Sequence, residues 1–251
     1  MIARRIITAT LALTLLATSA SAGLFSRLVT LETKKGSKVT IKMASDDATE
    51  SVTIKSGSME HTMEIKASQL TAYTVESAGK TIEIIGDVEV LDCSGNGEAI
   101  TGIHLTRMSK IKKLNCSDNQ LTYLRVESDK LEEVDCSGNR ISQIKFEYCD
   151  DLEVLNCAKN RLAYLDLTAY EKLEVLNCKG NQIKTLKMGK KHDLEEVYVK
   201  GNPLDTQSKW RVVDCLPDRS SKRMSGKLDM PISAMEMMKR VMEMNWEIVK
   251  E

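Results

Sequence analysis

An excess of charge, long apolar runs and closely spaced metal ligands are all missing from most of this chain, and each absence removes a class of function. The 36 basic and 36 acidic residues leave a formal charge of +0. No electrostatic footprint for nucleic acid results, and none is expected as a partner. Apart from one short apolar run near the N-terminus, no stretch approaches the ~20 apolar residues of a membrane-spanning helix, so no transmembrane segment is expected in the mature chain. The seven cysteines include no C-x-x-C pair, which argues against zinc and leaves no metal site expected. The histidines His61, His104 and His192 are scattered, and no G-x-S-x-G, H-E-x-x-H or phosphate-cradling glycine loop occurs. The chain is expected to be no enzyme and to carry no cofactor.

The N-terminus has the grammar of an export signal. Arg4 and Arg5 precede the apolar run from Ile6 to Ala17, and Ala20-Ser21-Ala22 forms a small-residue cleavage site before Gly23. Residues 1–22 are therefore expected to be a signal peptide. No cysteine follows the cleavage point to take a lipid anchor. The expected location is periplasmic or secreted, with outer-surface association left open.

What the chain does have is a repeat. Asn96, Asn119, Asn139, Asn160, Asn181 and Asn202 follow one another in steps of 23, 20, 21, 21 and 21 residues. Three residues before the first five stand Cys93, Cys116, Cys136, Cys157 and Cys178, and before the sixth stands Val199. The aligned pattern is L-x-x-L-x-C-x-x-N-x-L-x-x-L-x-L, and a period in the low twenties marks a leucine-rich-repeat solenoid. Apolar residues alternate in two short stretches per unit, as around Leu155–Cys157 and Leu165–Leu167, which means extended strand. The expected fold is mainly β: a short solenoid of about six coils over 86–206, an N-terminal β-rich cap over 23–85, and a C-terminal α/β cap over 207–251.

Each asparagine is expected to satisfy inward backbone groups at a sharp turn, and stacked amides can also bond one another. The cysteines occupy inward positions and are expected to be small apolar core thiols. One disulfide between neighbouring coils, or between Cys149 and Cys215, stays open on spacing alone. The first unit has two extra residues between Asn96 and Ile100, and the second is one short before Leu131.

Outside the repeat, Val39 to Met43, Val52 to Ile54 and Thr81 to Ile84 alternate as strands of a small antiparallel region running straight into the first coil. After Asn202, Trp210, Val213 and Leu216 fall on one face of a short helix. Ser233 with Glu236 forms a capping box, and Met235, Met238, Val241 and Met242 fall on one stripe behind it. Asn245 stops that helix before a final strand, Trp246 to Val249. The methionines are expected to pack the cap; a partner groove or a copper site is the alternative.

With the motif spelled out, Leu114-Asn115-Cys116-Ser117-Asp118-Asn119 and Val134-Asp135-Cys136-Ser137-Gly138-Asn139 resemble the coils of internalin-related bacterial leucine-rich-repeat proteins, of the secreted type with L-x-C-S-x-N units. The tail, Leu216-Pro217-Asp218-Arg219-Ser220 and later Asn245-Trp246, is similar to that group as well. The resemblance implies a secreted or envelope-associated recognition protein that binds another protein, in some cases for adhesion. The alternative is a structural component of the envelope that self-associates or docks through its caps.

Two surface columns are candidates for the contact. On the first strand of each unit, Asp92, Asn115, Asp135, Asn156, Asn177 and Tyr198 face outward, flanked by an acidic column, Glu132, Glu153, Glu174 and Glu195. The second strand exposes Arg125, Lys145 and Lys187 with Tyr123 and Tyr164, and is expected to be a basic, tyrosine-bearing face. Regular coils are expected to end near Asn202.

Overall fold

The computed structural model describes residues 28–45, 49–105, 110–189, 193–232 and 234–249. The expected signal peptide, His192 and Ser233 lie outside the described residues. The fold is mainly β. The N-terminal part supplies β1 (Leu28–Thr33), β2 (Lys38–Ala44), β3 (Glu50–Ser56), β4 (Met59–Ile65), β5 (Thr71–Glu76) and β6 (Thr81–Ile85). The repeats then alternate two kinds of strand. The pairs are β7 (Val90–Asp92) and β8 (Ile100–Leu105), β9 (Lys113–Asn115) and β10 (Tyr123–Glu127), β11 (Glu133–Asp135) and β12 (Gln143–Glu147). They continue as β13 (Val154–Asn156) and β14 (Tyr164–Leu167), β15 (Val175–Asn177) and β16 (Thr185–Met188), then β17 (Glu196–Tyr198). The C-terminal part adds α1 (Thr206–Cys215), β18 (Gly226–Asp229), α2 (Met235–Glu243) and β19 (Trp246–Ile248).

A ten-stranded sheet has the order β19-β18-β17-β15-β13-β11-β9-β7-β2-β5, and a seven-stranded sheet the order β12-β10-β8-β1-β6-β3-β4. β14 and β16 form a separate two-stranded piece on the side of the seven-stranded sheet's repeat strands. The short strands β7 to β17 pair in parallel and in register, so Leu91, Leu114, Val134, Leu155, Leu176 and Val197 make one buried row. Both sheets are mixed, because the N-terminal strands are antiparallel. β1 pairs with β6 and β8, and β2 with β5 and β7. Those strands thus lengthen both sheets instead of standing apart, and one core runs from Val29 to Trp246. The reason is visible in β2, where Val39, Ile41 and Met43 are fully buried and Lys38, Thr40 and Lys42 are not.

Each three-residue strand ends where the chain turns through a left-handed residue: Gly95, Asp118, Gly138, Lys159, Gly180 and Gly201, with φ between +54° and +77°. Glycine adopts that conformation freely, whereas Asp118 and Lys159 hold it at some cost. The two extra residues of the first unit are absorbed in a 3-10 turn, Gly97–Ala99.

The parallel stack does not stop at Asn202. β18 pairs in register with β17, and β19 with β18, so the C-terminal cap adds two further parallel strands. Helices replace the second strand in these last crossovers. Asp205 starts α1 by accepting the Ser208 N–H at 2.6 Å, and Val212 and Val213 are buried beneath it. In α2 the N-cap is Ala234, with no side-chain cap bond. The expected methionine stripe is rotated: Met237 and Val241 face the core, while Met235, Met238 and Met242 are exposed. An i, i+4 pair suffices because the buried Trp246 fills the space below. Asn245, at φ +59°, ends the helix as expected.

Candidate functional site

The asparagine row fixes how every coil presents its surface. Asn160 Nδ2 donates to the Cys157 carbonyl of its own coil at 3.1 Å and the Cys136 carbonyl of the preceding one at 2.9 Å, while Oδ1 accepts the Ile141 N–H at 2.9 Å. Asn139, Asn181 and Asn202 repeat this arrangement. The amides therefore bond backbone across coils, not one another. At the first coil β2 takes the place of a preceding coil: Asn96 donates to Thr40 O at 2.9 Å and accepts Thr40 N–H at 2.8 Å. Asn119 alone of the row has a buried Oδ1 without a partner, because the two-residue insertion displaces the N–H it would accept.

The cysteine row is wholly internal. All seven cysteines are buried outside any disulfide, and burial pushes the Cys93 and Cys178 thiols up to about 12. Such thiols are neither nucleophiles nor metal ligands at neutral pH. Among the described residues no group of three or more histidines, cysteines or carboxylates is placed to hold a metal ion. His104 bonds Glu32 at 2.8 Å, and His61 stacks on Tyr73 with ring centroids 4.7 Å apart.

Asp92, Asn115, Asp135, Asn156, Asn177 and Tyr198 do form one row on the outer side of the ten-stranded sheet. The first five also have a local task. Oδ1 of each accepts the backbone N–H two residues on: Ser94, Ser117, Ser137, Ala158 and Lys179. Serine hydroxyls reinforce the first three at 2.6 to 2.8 Å. The D/N-x-S spacing that signals these turns is readable in the sequence. One atom of each side chain is thereby tied, and the other is held toward the surface. Asp92 is steadied further by Lys42 at 2.9 Å, and Asp135 accepts Asn156 Nδ2 at 2.9 Å. Tyr198 donates to Glu196 at 2.8 Å. Beside this row Val154 and Val175 form an apolar wall, and together they line a groove of ≈ 420 Å³.

The neighbouring row is acidic. Glu132, Glu153, Glu174 and Glu195 lie in consecutive coils, each backbone N–H after the first donating to the glutamate carbonyl before it at 2.7 to 2.8 Å. Glu195 has a cation beside it, Arg219 at 3.1 Å. Glu153 and Glu174 make no ion pair among the described residues. Partial burial, then Glu153, Glu195 and Asp193, raise the Glu174 carboxyl above its usual range. Two positions earlier in each unit the sign alternates, Lys130, Asp151, Lys172 and Asp193, and Lys172 bonds Asp151 at 2.5 Å.

The opposite face is not basic. Arg125 pairs with Glu127 and Glu147 at 2.7 Å each, Lys145 pairs with Glu147, and Lys187 with Asp166 at 3.5 Å. Lys187 also lies 5.4 Å from the Tyr164 ring centroid. The acids sit two residues along the same strands or one coil away, which the parallel register brings together. Lys145 and Arg125 hold the Glu147 carboxyl down at about 2.

These features define a mainly β protein with a long mixed sheet whose parallel strands carry ordered charge rows. Comparison with protein-family models, curated proteins and solved structures finds no match.

Proposed function

We propose that residues 86–206 are a leucine-rich-repeat solenoid of an exported protein, and that the acidic and amide rows of its ten-stranded sheet face bind a protein partner that presents basic side chains. The solenoid reading is supported by the in-register stack of strands at a 20- to 23-residue step, and by asparagine amides that bridge successive coils. Export is supported by the leader-like residues 1–22.

One observation carries the binding assignment. Glu153 and Glu174 stand in a row of like charge and make no ion pair among the described residues, whereas on the opposite face Arg125, Lys145 and Lys187 each pair with an acid. Stacked like charges oppose folding, so a fold that keeps them has a reason in another molecule. The tied Asn and Asp side chains alongside are fixed in advance, which lowers the entropy lost on binding. Charged groups spread along a row suit an extended partner surface; they do not converge on one reacting atom. The protein acts as a binder, not a catalyst.

The test is a pull-down from envelope extracts with the wild type and with Glu153→Lys/Glu174→Lys, followed by an affinity measurement on the partner retained. Reversal is expected to weaken binding at least tenfold, about 1.4 kcal/mol, and rising salt to weaken the wild type. Arg125→Glu/Lys145→Glu on the other face should bind normally. Equal retention by the acidic-row variant would remove this face from consideration.

A further inference from the structure

We propose that the outer edge of β19, with the exposed methionines of α2 beside it, is the contact between two copies of this chain in a closed two-fold dimer. β19 is the last strand of the ten-stranded sheet, with β18 as its single neighbour among the described residues. The Val249 N–H donates to Leu228 O at 2.9 Å, and the Gly226 N–H to Asn245 O at 3.1 Å, so residues 245 and 249 bond inward to β18. Strand alternation then turns the N–H and C=O of Trp246 and Ile248 to the open side. An edge of this kind is usually blunted by charge or proline. Here one charge, Glu247, stands on the strand, and the surface beside it is otherwise apolar. Met237 and Val241 bury the inner side of α2, while Met238 and Met242 stay 41% and 65% exposed. With Trp246, Ile248 and Val249 they line a groove of ≈ 640 Å³.

The occupant follows from what the groove lacks. Among the described residues it has a strand edge without a neighbour and a methionine stripe without a cover, side by side. A two-fold axis perpendicular to the sheet beside β19 supplies both at once, because strand meets strand antiparallel and stripe meets stripe. Centred on Ile248, that axis places the edge groups of Ile248 against those of the second copy. It also sets Glu247 opposite the second copy's Val249, so no carboxylates face each other. The far edge of the same sheet fits less well: its edge strand β5 exposes Ala72, Thr74 and Glu76. A head-to-tail joint would, besides, leave ends free to polymerise. Methionine is suited to such a contact because it adapts its shape to the opposing surface.

Sedimentation of the full chain over a range of concentrations tests this. The wild type is expected to reach the mass of a dimer and go no further. Met238→Lys/Met242→Lys changes exposed side chains, so it should keep the melting temperature that the wild type shows at high dilution and sediment as a monomer. Val249→Cys introduces one accessible thiol into a protein whose seven cysteines are buried. Because the axis leaves the two introduced thiols diagonal, beyond the reach of a disulfide, a short bis-maleimide is expected to link two copies, read on a denaturing gel. A wild type that is monomeric at every concentration overturns the proposal, as it would if a strand of another protein filled the groove. So does a dimer that survives the methionine substitutions, or an open-ended polymer. The sheet-face assignment stands or falls separately, since Glu153→Lys/Glu174→Lys should leave the dimer intact.

Discussion

The two faces of the repeat region handle charge in opposite ways. On the β10 and β12 side, Arg125, Lys145 and Glu147 neutralise one another within a single coil step. On the ten-stranded side, Glu153 and Glu174 face a neighbouring row that alternates in sign, yet their own row repeats one sign. Both faces hang on the same asparagine scaffold, so the difference is not imposed by the fold. A paired face is complete in solvent. On the proposed reading, the like-charged stretch at Glu153 and Glu174 is kept for a partner that supplies the missing cations.

The scaffold common to both faces should be the most sensitive point. Asn160→Ala removes the donors to two buried carbonyls and the acceptor for Ile141 N–H. The expected loss is about 3 kcal/mol of unfolding free energy, read by chemical denaturation. Asn119→Ala should cost about 1 kcal/mol less, because its Oδ1 has no partner to lose. Equal costs would mean that the insertion in the first unit leaves no trace in the energetics.

Part of this was legible in the sequence. The asparagine and cysteine spacing places the buried rows and the outward strand positions, because a fixed step in sequence becomes a fixed step in space. The basic face was misread because pairing is set by register. Glu147 reaches Arg125 from the next coil, and no single-unit pattern displays that. The D/N-x-S turns are readable too, yet the outward column alone does not reveal that one oxygen of each side chain is tied to the backbone. The C-terminal strand β18 escaped notice because Gly226–Asp229 is short and carries no repeat motif. The methionines of α2 were assigned to the core by periodicity, but Met237 and Val241 already fill it.

The paired face should be sensitive to acid. Lys145 and Arg125 hold Glu147 near 2, below the ordinary glutamate value. Its stabilisation is thus complete above that ordinary value and is lost as the pH falls toward about 2. The double variant Arg125→Gln/Lys145→Gln should melt below the wild type at neutral pH, with the gap closing in acid. A gap that is constant with pH would show that these pairs contribute through packing and not through charge.

The acidic row should respond with the opposite sign and a smaller size. Partial burial and its neighbours Glu153, Glu195 and Asp193 raise the Glu174 carboxyl, so the folded chain holds that proton more tightly than the unfolded one. The resulting penalty is absent below the ordinary glutamate value and complete above the raised one. Glu174→Gln keeps the shape and removes the charge. It should raise the melting temperature slightly at about pH 7 and leave it unchanged at about pH 3. Solvent screening on an exposed row keeps the gain small. The same substitution should weaken the partner while it stabilises the fold, a division of effect that a merely solvated glutamate would not show. Unchanged stability at both pH values would mean the row carries no strain, and the main reason to assign it a partner would go with it.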